Sequence, residues 1–235
     1  MVEKMKILIA CEESQRITVE MRAHGYECYS CDIQDQSGGH PEWHIKQDVL
    51  PLLNGDVTFE TTDGKSHTIE GQWDLIVAHP PCVYLTVSGN RWFNVEKYGD
   101  KARERLALRE KAYGFFMQFV NANCKYIAIE NPVGYMNTHY RKPDQIIQPY
   151  YFGDPERKTT CLWLKNLPPL VPTKMVDPNI TDSSTGHSGY SSWHMDMQYI
   201  GKSKEERSKM RSKTFPGIAK AIAEQWPAYI LNKEE

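Results

Sequence analysis

One cysteine stands out for what surrounds it. In His79-Pro80-Pro81-Cys82 the thiol follows two prolines, directly after the run Trp73-Asp74-Leu75-Ile76-Val77-Ala78. The prolines fix the backbone and remove two amide donors, so the chain leaves its strand on a stiff loop that presents Cys82. The carboxyl end of a buried strand is where open α/β sheets gather ligands, and a thiolate is the strongest nucleophile among ordinary side chains. A second short run, Lys125-Tyr126-Ile127-Ala128-Ile129, leads into Glu130-Asn131-Pro132-Val133. Parallel strands open onto one edge, so Glu130 and Cys82 are expected in one crevice, a nucleophile beside a carboxyl group. Taken singly, each residue has an ordinary reading: a cysteine packed under a turn, a glutamate in water at a strand end. Their placement at two strand ends points to chemistry.

The elements that must position them follow from hydrophobic periodicity. Lys6 to Ala10 reads as the first strand, Glu12 to His24 as a helix stopped by Gly25, and Tyr26 to Cys31 as a second strand ending at Asp32. An acid at the end of the second strand of such a unit is where doubly wound folds hold a ribose. Gln47-Asp48-Val49 reads as a short extended piece, and residues 57–70 alternate around Asp63-Gly64 as an inserted β-hairpin. Lys101 to Asn123 reads as a helix whose buried stripe runs through Leu106, Leu108, Ala112, Phe115, Phe116, Phe119 and Val120, its phenylalanines core rather than a base-stacking platform. Asn90 to Tyr98 is a loop rich in aromatics, Thr159 to Leu164 a further strand, and the stretch after Pro216 an amphipathic closing helix. The expected fold is therefore α/β, a doubly wound, Rossmann-like, mostly parallel sheet with a hairpin insertion and a small irregular lobe. Residues 1–165 form the core, 166–213 the lobe, and 214–235 a helix returning to the core.

With 235 residues, 40% hydrophobic and 25% charged, the chain can bury a proper core. No apolar run is long enough to cross a bilayer, and Met1 to Lys6 leads into a strand rather than a signal peptide, so a cytoplasmic protein with no membrane partner is expected. The six cysteines lie mostly in or beside buried strands and are expected as free thiols. Cys28 and Cys31 form a CxxC, with no second pair at zinc-finger spacing. The net charge of −2 does not advertise a nucleic-acid binder. Lys202, Lys204, Arg207, Lys209, Arg211 and Lys213 nevertheless crowd one segment, either a solvated basic loop or an edge that contacts phosphates.

In this order the pieces resemble the cytosine-5 DNA methyltransferases, and most of all short phage-type members that keep the catalytic domain and little else. His79-Pro80-Pro81-Cys82 matches that family's Pro-Pro-Cys loop, Glu130-Asn131-Pro132-Val133 its Glu-Asn-Val, and Thr214 to Ala223 its late helix start. The resemblance implies a class I methyltransferase core that uses S-adenosylmethionine to methylate carbon 5 of cytosine in DNA. In that scheme the Cys82 thiolate adds to carbon 6 of a flipped-out base, and Glu130, kept protonated in a dry pocket, holds the ring nitrogen and exocyclic amine. Arg157 and Lys158 fall at the family's Gln-Arg-Arg element and join the catalytic set, with Thr160 where a further arginine is usual. Cofactor contacts are implied for Ala10, Cys11, Glu12 and Glu13, for Asp32-Ile33 and Asp48-Val49, and for His79-Pro80.

Two departures carry expectations of their own. The family's first loop is glycine-rich, whereas Ala10-Cys11-Glu12-Glu13-Ser14 has no glycine; Glu12 or Glu13 is expected to engage an ammonium group, or the pocket to favour a modified sulfonium donor. The segment from Asn166 to Lys213 is far smaller than the family's target-recognition domain. Low or short-site specificity follows, on single strands or with the help of oligomerisation or a partner. The alternatives are the same chemistry on a nucleotide or RNA, and a non-catalytic homologue that binds DNA or cofactor.

Overall fold

The computed structural model describes residues 4–179 and 203–234. Seven strands form one sheet: β1 (Lys6–Ala10), β2 (Glu27–Asp32), β3 (His44–Lys46), β6 (Leu75–Ala78), β7 (Ile127–Pro132), β8 (Gln145–Ile147) and β9 (Thr160–Lys165). Their order is β3-β2-β1-β6-β7-β9-β8, while β4 (Val57–Glu60) and β5 (Ser66–Ile69) make a separate antiparallel hairpin. Strands β1, β2, β3, β6 and β7 run parallel, and β9 is antiparallel to both of its neighbours. This is the mostly parallel α/β sheet expected, hairpin included. Its central strands read Lys-Ile-Leu-Ile-Ala and Leu-Ile-Val-Ala because both faces are covered and neither can be polar.

The helices are α1 (Arg16–Ala23), α2 (Val95–Tyr98), α3 (Asp100–Val120), α4 (Met136–His139), α5 (Lys204–Ser212) and α6 (Pro216–Glu234). On one face Ile7, Ile9, Val77, Ala128 and Leu162 pack with Ile17 and Met21 of α1 and Ile218, Ile222 and Trp226 of α6. On the other, Leu8, Ala10, Ile76, Ala78 and Trp163 pack with Phe116 and Phe119 of α3 and Phe59 of the hairpin. Cys28 and Cys31 stand three residues apart on β2 and enter opposite cores, since strand side chains alternate. All six cysteines are free. Among the described residues no helix is long and apolar enough to cross a membrane.

Several elements differ from the reading of the sequence. Residues 12–15 are a buried loop rather than the first turn of α1, with Cys11 and Gln15 at positive φ. The short extended piece is His44–Lys46, three residues earlier than Gln47-Asp48-Val49. β8 carries no alternation in its three residues and is held by pairing with β9. β7 does not stop at Ile129; β9 continues to pair with Glu130, Asn131 and Pro132. In α3, Leu106 and Leu108 are exposed and Arg109 is buried. The basic segment is a helix, α5, started by a Ser203–Glu206 capping box, not a loop. α6 continues past Trp226 to Glu234, because Ile230 goes on burying itself in the core. Residues 180–202, nearly half of the expected small lobe, lie outside the described residues.

Candidate active site

Strand alternation sets the residues that surround the site. β6 and β7 are parallel neighbours with Ala78 opposite Ile129, so His79 leaves the sheet beside Glu130. Both fall in phase with Val77 and Ala128 and therefore face α6. There they line a cleft with Lys158, Thr160, Thr214, Phe215 and the apolar side chains of β9 and α6. The cleft is narrow and opens in part to solvent. His79 Nδ1 lies 3.2 Å from Glu130 Oε2. Burial pushes the Glu130 carboxyl up, but the His79 hydrogen bond and the Lys158 charge outweigh it and hold the group below the ordinary carboxylate range. The expectation of a protonated Glu130 is thus not met in the free site: a dry pocket neutralises an acid only if no cation stands beside it.

Cys82 does not line the cleft, but it is close enough to Glu130, Lys158 and Arg211 for their charges to act on its sulfur. Its residue surface is exposed, while the protein shields the thiol on its other sides. That desolvation, joined by the Glu130 carboxylate, raises the thiol above its ordinary pKa against the opposing pull of Lys158 and Arg211. Lys158 Nζ donates to the Lys213 carbonyl oxygen at 3.4 Å, which ties the cation to the end of α5. Arg157, expected beside Lys158, is exposed and does not line the cleft; in an extended segment adjacent side chains point apart, and its charge acts on Tyr150 instead.

The loops that follow β6 and β7 are joined to each other. Asn131 Nδ2 donates to the Pro80 carbonyl at 2.7 Å, Tyr135 N to Leu85 O at 2.7 Å, and Val87 N to Val133 O at 3.1 Å. Gly134 permits this approach, because a Cβ there would lie 1.9 Å from Leu85 O. Arg109 pins the same loop from α3: its Nε donates to Tyr84 O at 3.0 Å and its Nη2 to Asn90 Oδ1 at 2.7 Å, with the rings of Phe93 and Tyr135 against the guanidinium. Asn131 stands in the Glu130-Asn131-Pro132-Val133 motif but carries no expected role there, and Arg109 does not stand out in the sequence. A cation on the apolar side of a predicted stripe is the one available signal for Arg109.

The remaining expected residues lie at the ends of β1, β2 and β3. The charges of Asp32 and Asp48 both act on the half-buried Cys11 thiol, which burial already holds well above its ordinary pKa, so these residues converge as expected. Ile33 is 75% exposed beside them, whereas Ala10 and Val49 are buried in the core and Pro80 is spent on its bond from Asn131. Glu12 departs from expectation. Its Oε1 accepts from Ile17 N at 2.7 Å and its Oε2 from the Thr18 hydroxyl at 2.7 Å, so it caps α1 and is not placed to bind an ammonium. Glu13 remains: its carboxylate is buried, with Oε2 in an ion pair with Lys209 Nζ of α5 at 3.2 Å and Oε1 without a hydrogen-bond partner among the described residues. His79, expected at the cofactor, is hydrogen-bonded to Glu130. No cluster of metal-ligating side chains occurs among the described residues.

No family model matches the chain, and no curated protein matches it either. Among solved structures it is similar to a protein encoded within an E. coli prophage that carries the provisional name DNA modification methyltransferase. That similarity has a TM-score of 0.42 at 14% identity and covers 73% of this chain and 51% of the other. The chain thus spans about half the length of that protein.

Proposed function

We propose that this protein transfers a methyl group from S-adenosylmethionine to carbon 5 of cytosine in DNA through a transient bond between Cys82 and the base. The observation that carries the reading is that Cys82, on the loop after β6, lies within electrostatic reach of Glu130 and Lys158, which line the cleft at the carboxyl ends of β6 and β7. The strand order, with reversed β9 between β7 and β8, is also that of the class I methyltransferase core implied by the motifs.

Residues at the ends of β1 and β2 suit the donor. Asp32 offers a carboxylate to the ribose hydroxyls, Asp48 one to the adenine beside the exposed apolar surface of Ile33, and Glu13 a buried carboxylate that the ammonium would share with Lys209. The bound donor supplies an electrophilic methyl group. The chain's own residues make carbon 5 able to take it. In the free site the thiol keeps its proton and Glu130 lacks one, so the two are matched: sulfur bonds to carbon 6 while a proton passes by way of Glu130 to ring nitrogen 3. The charge that would build on the ring is thereby neutralised, and carbon 5 becomes the nucleophilic end of an enamine. Lys158 and Arg211 favour the thiolate as the base arrives. After methyl transfer the carbon-5 proton is lost to solvent as sulfur departs, and the nitrogen-3 proton returns by way of Glu130 to the thiolate, which restores the ring and the free cysteine.

The test is trapping with DNA that carries 5-fluorocytosine, since fluorine cannot depart as the proton does. A covalent adduct at Cys82 that requires S-adenosylmethionine is expected, and Cys82→Ser should form none and transfer no label to carbon 5 of ordinary cytosine. Label transfer by Cys82→Ser would end the covalent scheme.

A further inference from the structure

The aromatic loop that follows the nucleophile has a surface the reaction does not use. Asn90, Arg91, Trp92, Asn94, Lys97 and Tyr98 line a shallow, open groove. Trp92 is 42% exposed, although a tryptophan ring is costly to leave in water. Its ring and that of Tyr98 lie 5.1 Å apart at 45°. The Arg91 guanidinium sits 4.7 Å from the Trp92 centroid and the Lys97 ammonium 5.4 Å from that of Tyr98. These side chains are held in place beforehand. Asn94 caps α2 by accepting from Lys97 N at 2.9 Å, and Asn90 is gripped by Arg109, the residue that also holds the carbonyl of Tyr84 two positions beyond Cys82. Charge points the same way: from Asn90 to Arg105 five cationic side chains stand against three acidic ones, in a chain whose net charge is −2.

We infer that this groove is a second nucleotide subsite, in which Trp92 stacks an unpaired base and Arg91 and Lys97 hold its phosphate. Rings beside cations on a rigid loop are the chemistry that takes single-stranded nucleic acid, because every base has a π-face and every link a charge. A paired base in a duplex has both faces covered by its neighbours and cannot lie on such a surface. The polynucleotide is therefore engaged as a single strand beside the attacked ring. That last step rests on the function proposed above, and the stacking itself does not.

The experiment uses the full chain and a labelled oligothymidylate, which contains no cytosine, compared with the same strand annealed to oligoadenylate. The wild type should bind the single strand more tightly than the duplex. Trp92→Ala should weaken single-strand binding about tenfold or more, as removal of one stacked base does, while Trp92→Phe keeps it within about threefold of the wild type. Removing Arg91 and Lys97 together should flatten the salt dependence by a slope of about 0.7 for each phosphate that is no longer neutralised. Trp92 fluorescence, read as the wild type minus Trp92→Phe, should be quenched by the oligonucleotide, and this needs no truncated variant to fold. Unchanged binding by Trp92→Ala, absence of that quenching, or a shift in sedimentation of the protein alone in place of weakened binding would each overturn the subsite; the last would mark the face as an interface between copies. Trp92-dependent binding without a fluorocytosine adduct would remove the proposed reaction and leave the subsite standing, and the reverse result would do the opposite.

Discussion

The Cys82 thiol, the nucleophile of the proposed reaction, is kept protonated by burial and by the neighbouring Glu130 carboxylate. Glu130 and burial raise the pKa of Cys82, Lys158 and Arg211 lower it, and the first pair prevails in the free site. Because the thiolate alone reacts with iodoacetamide, alkylation of Cys82, the one exposed cysteine of the six, should climb with pH along a curve lying above that of an ordinary cysteine. Glu130→Gln removes a charge that raises the pKa, so its curve should move to lower pH. Lys158→Met removes one that lowers it and should move the curve to higher pH. Peptide mass spectrometry across a pH series reads all three; coincident curves would show that the side chains do not share a site. At this scale the sequence was informative about types and silent about states. Cys82 and Glu130 were legible from their strand ends, but whether Glu130 carries a proton depends on His79 and Lys158, which reach it from the end of β6 and from the segment before β9.

Elements decide what a side chain is available for. Glu12 and Glu13 are neighbours in sequence and alike in chemistry, yet one is consumed as the cap of α1 and the other faces Lys209 of α5. The reading of residues 12–24 as continuous helix placed the first turn four residues early and hid the cap, since a glutamate at a helix start looks the same inside the first turn as just before it. Glu12→Ala should therefore cost stability, about 1–2 kcal/mol, by leaving the amides of Ile17 and Thr18 without their acceptor in a buried setting. A lower urea midpoint at unchanged slope is the expected result; an unchanged midpoint would mean that α1 does not depend on this cap. α5 shows the same limit from the other side. Its basic residues were plain in the sequence, but a capping box and the bonds that Lys209 and Lys213 make with the core place it along the crevice rather than free in solvent.

For the whole molecule, the cleft exists because α6 returns to cover the face of the sheet from which His79 and Glu130 project. Trp226 is fully buried there, lines the cleft, and donates its indole N–H to Pro168 O at 3.0 Å, which joins the closing helix to the chain leaving β9. Trp226→Ala should lower stability by about 3–5 kcal/mol, the usual cost of emptying a large aromatic site. Urea unfolding followed by circular dichroism measures it, and a drop below about 1 kcal/mol would show that α6 is not part of the core.

The amino-acid sequence alone determined the central parallel strands, the hairpin and the stiff loop that carries Cys82, because they rest on short unbroken apolar runs, on alternation around a tight turn, and on prolines that act where they stand. Only the tertiary structure decided that β7 runs through Glu130, that Arg109 is an anchor while Leu106 faces water, that Arg157 turns away from Lys158, and that α5 lies along the crevice. Those outcomes come from residues far apart in the chain competing for the same space and the same charges, and a pattern of neighbours carries no trace of that competition.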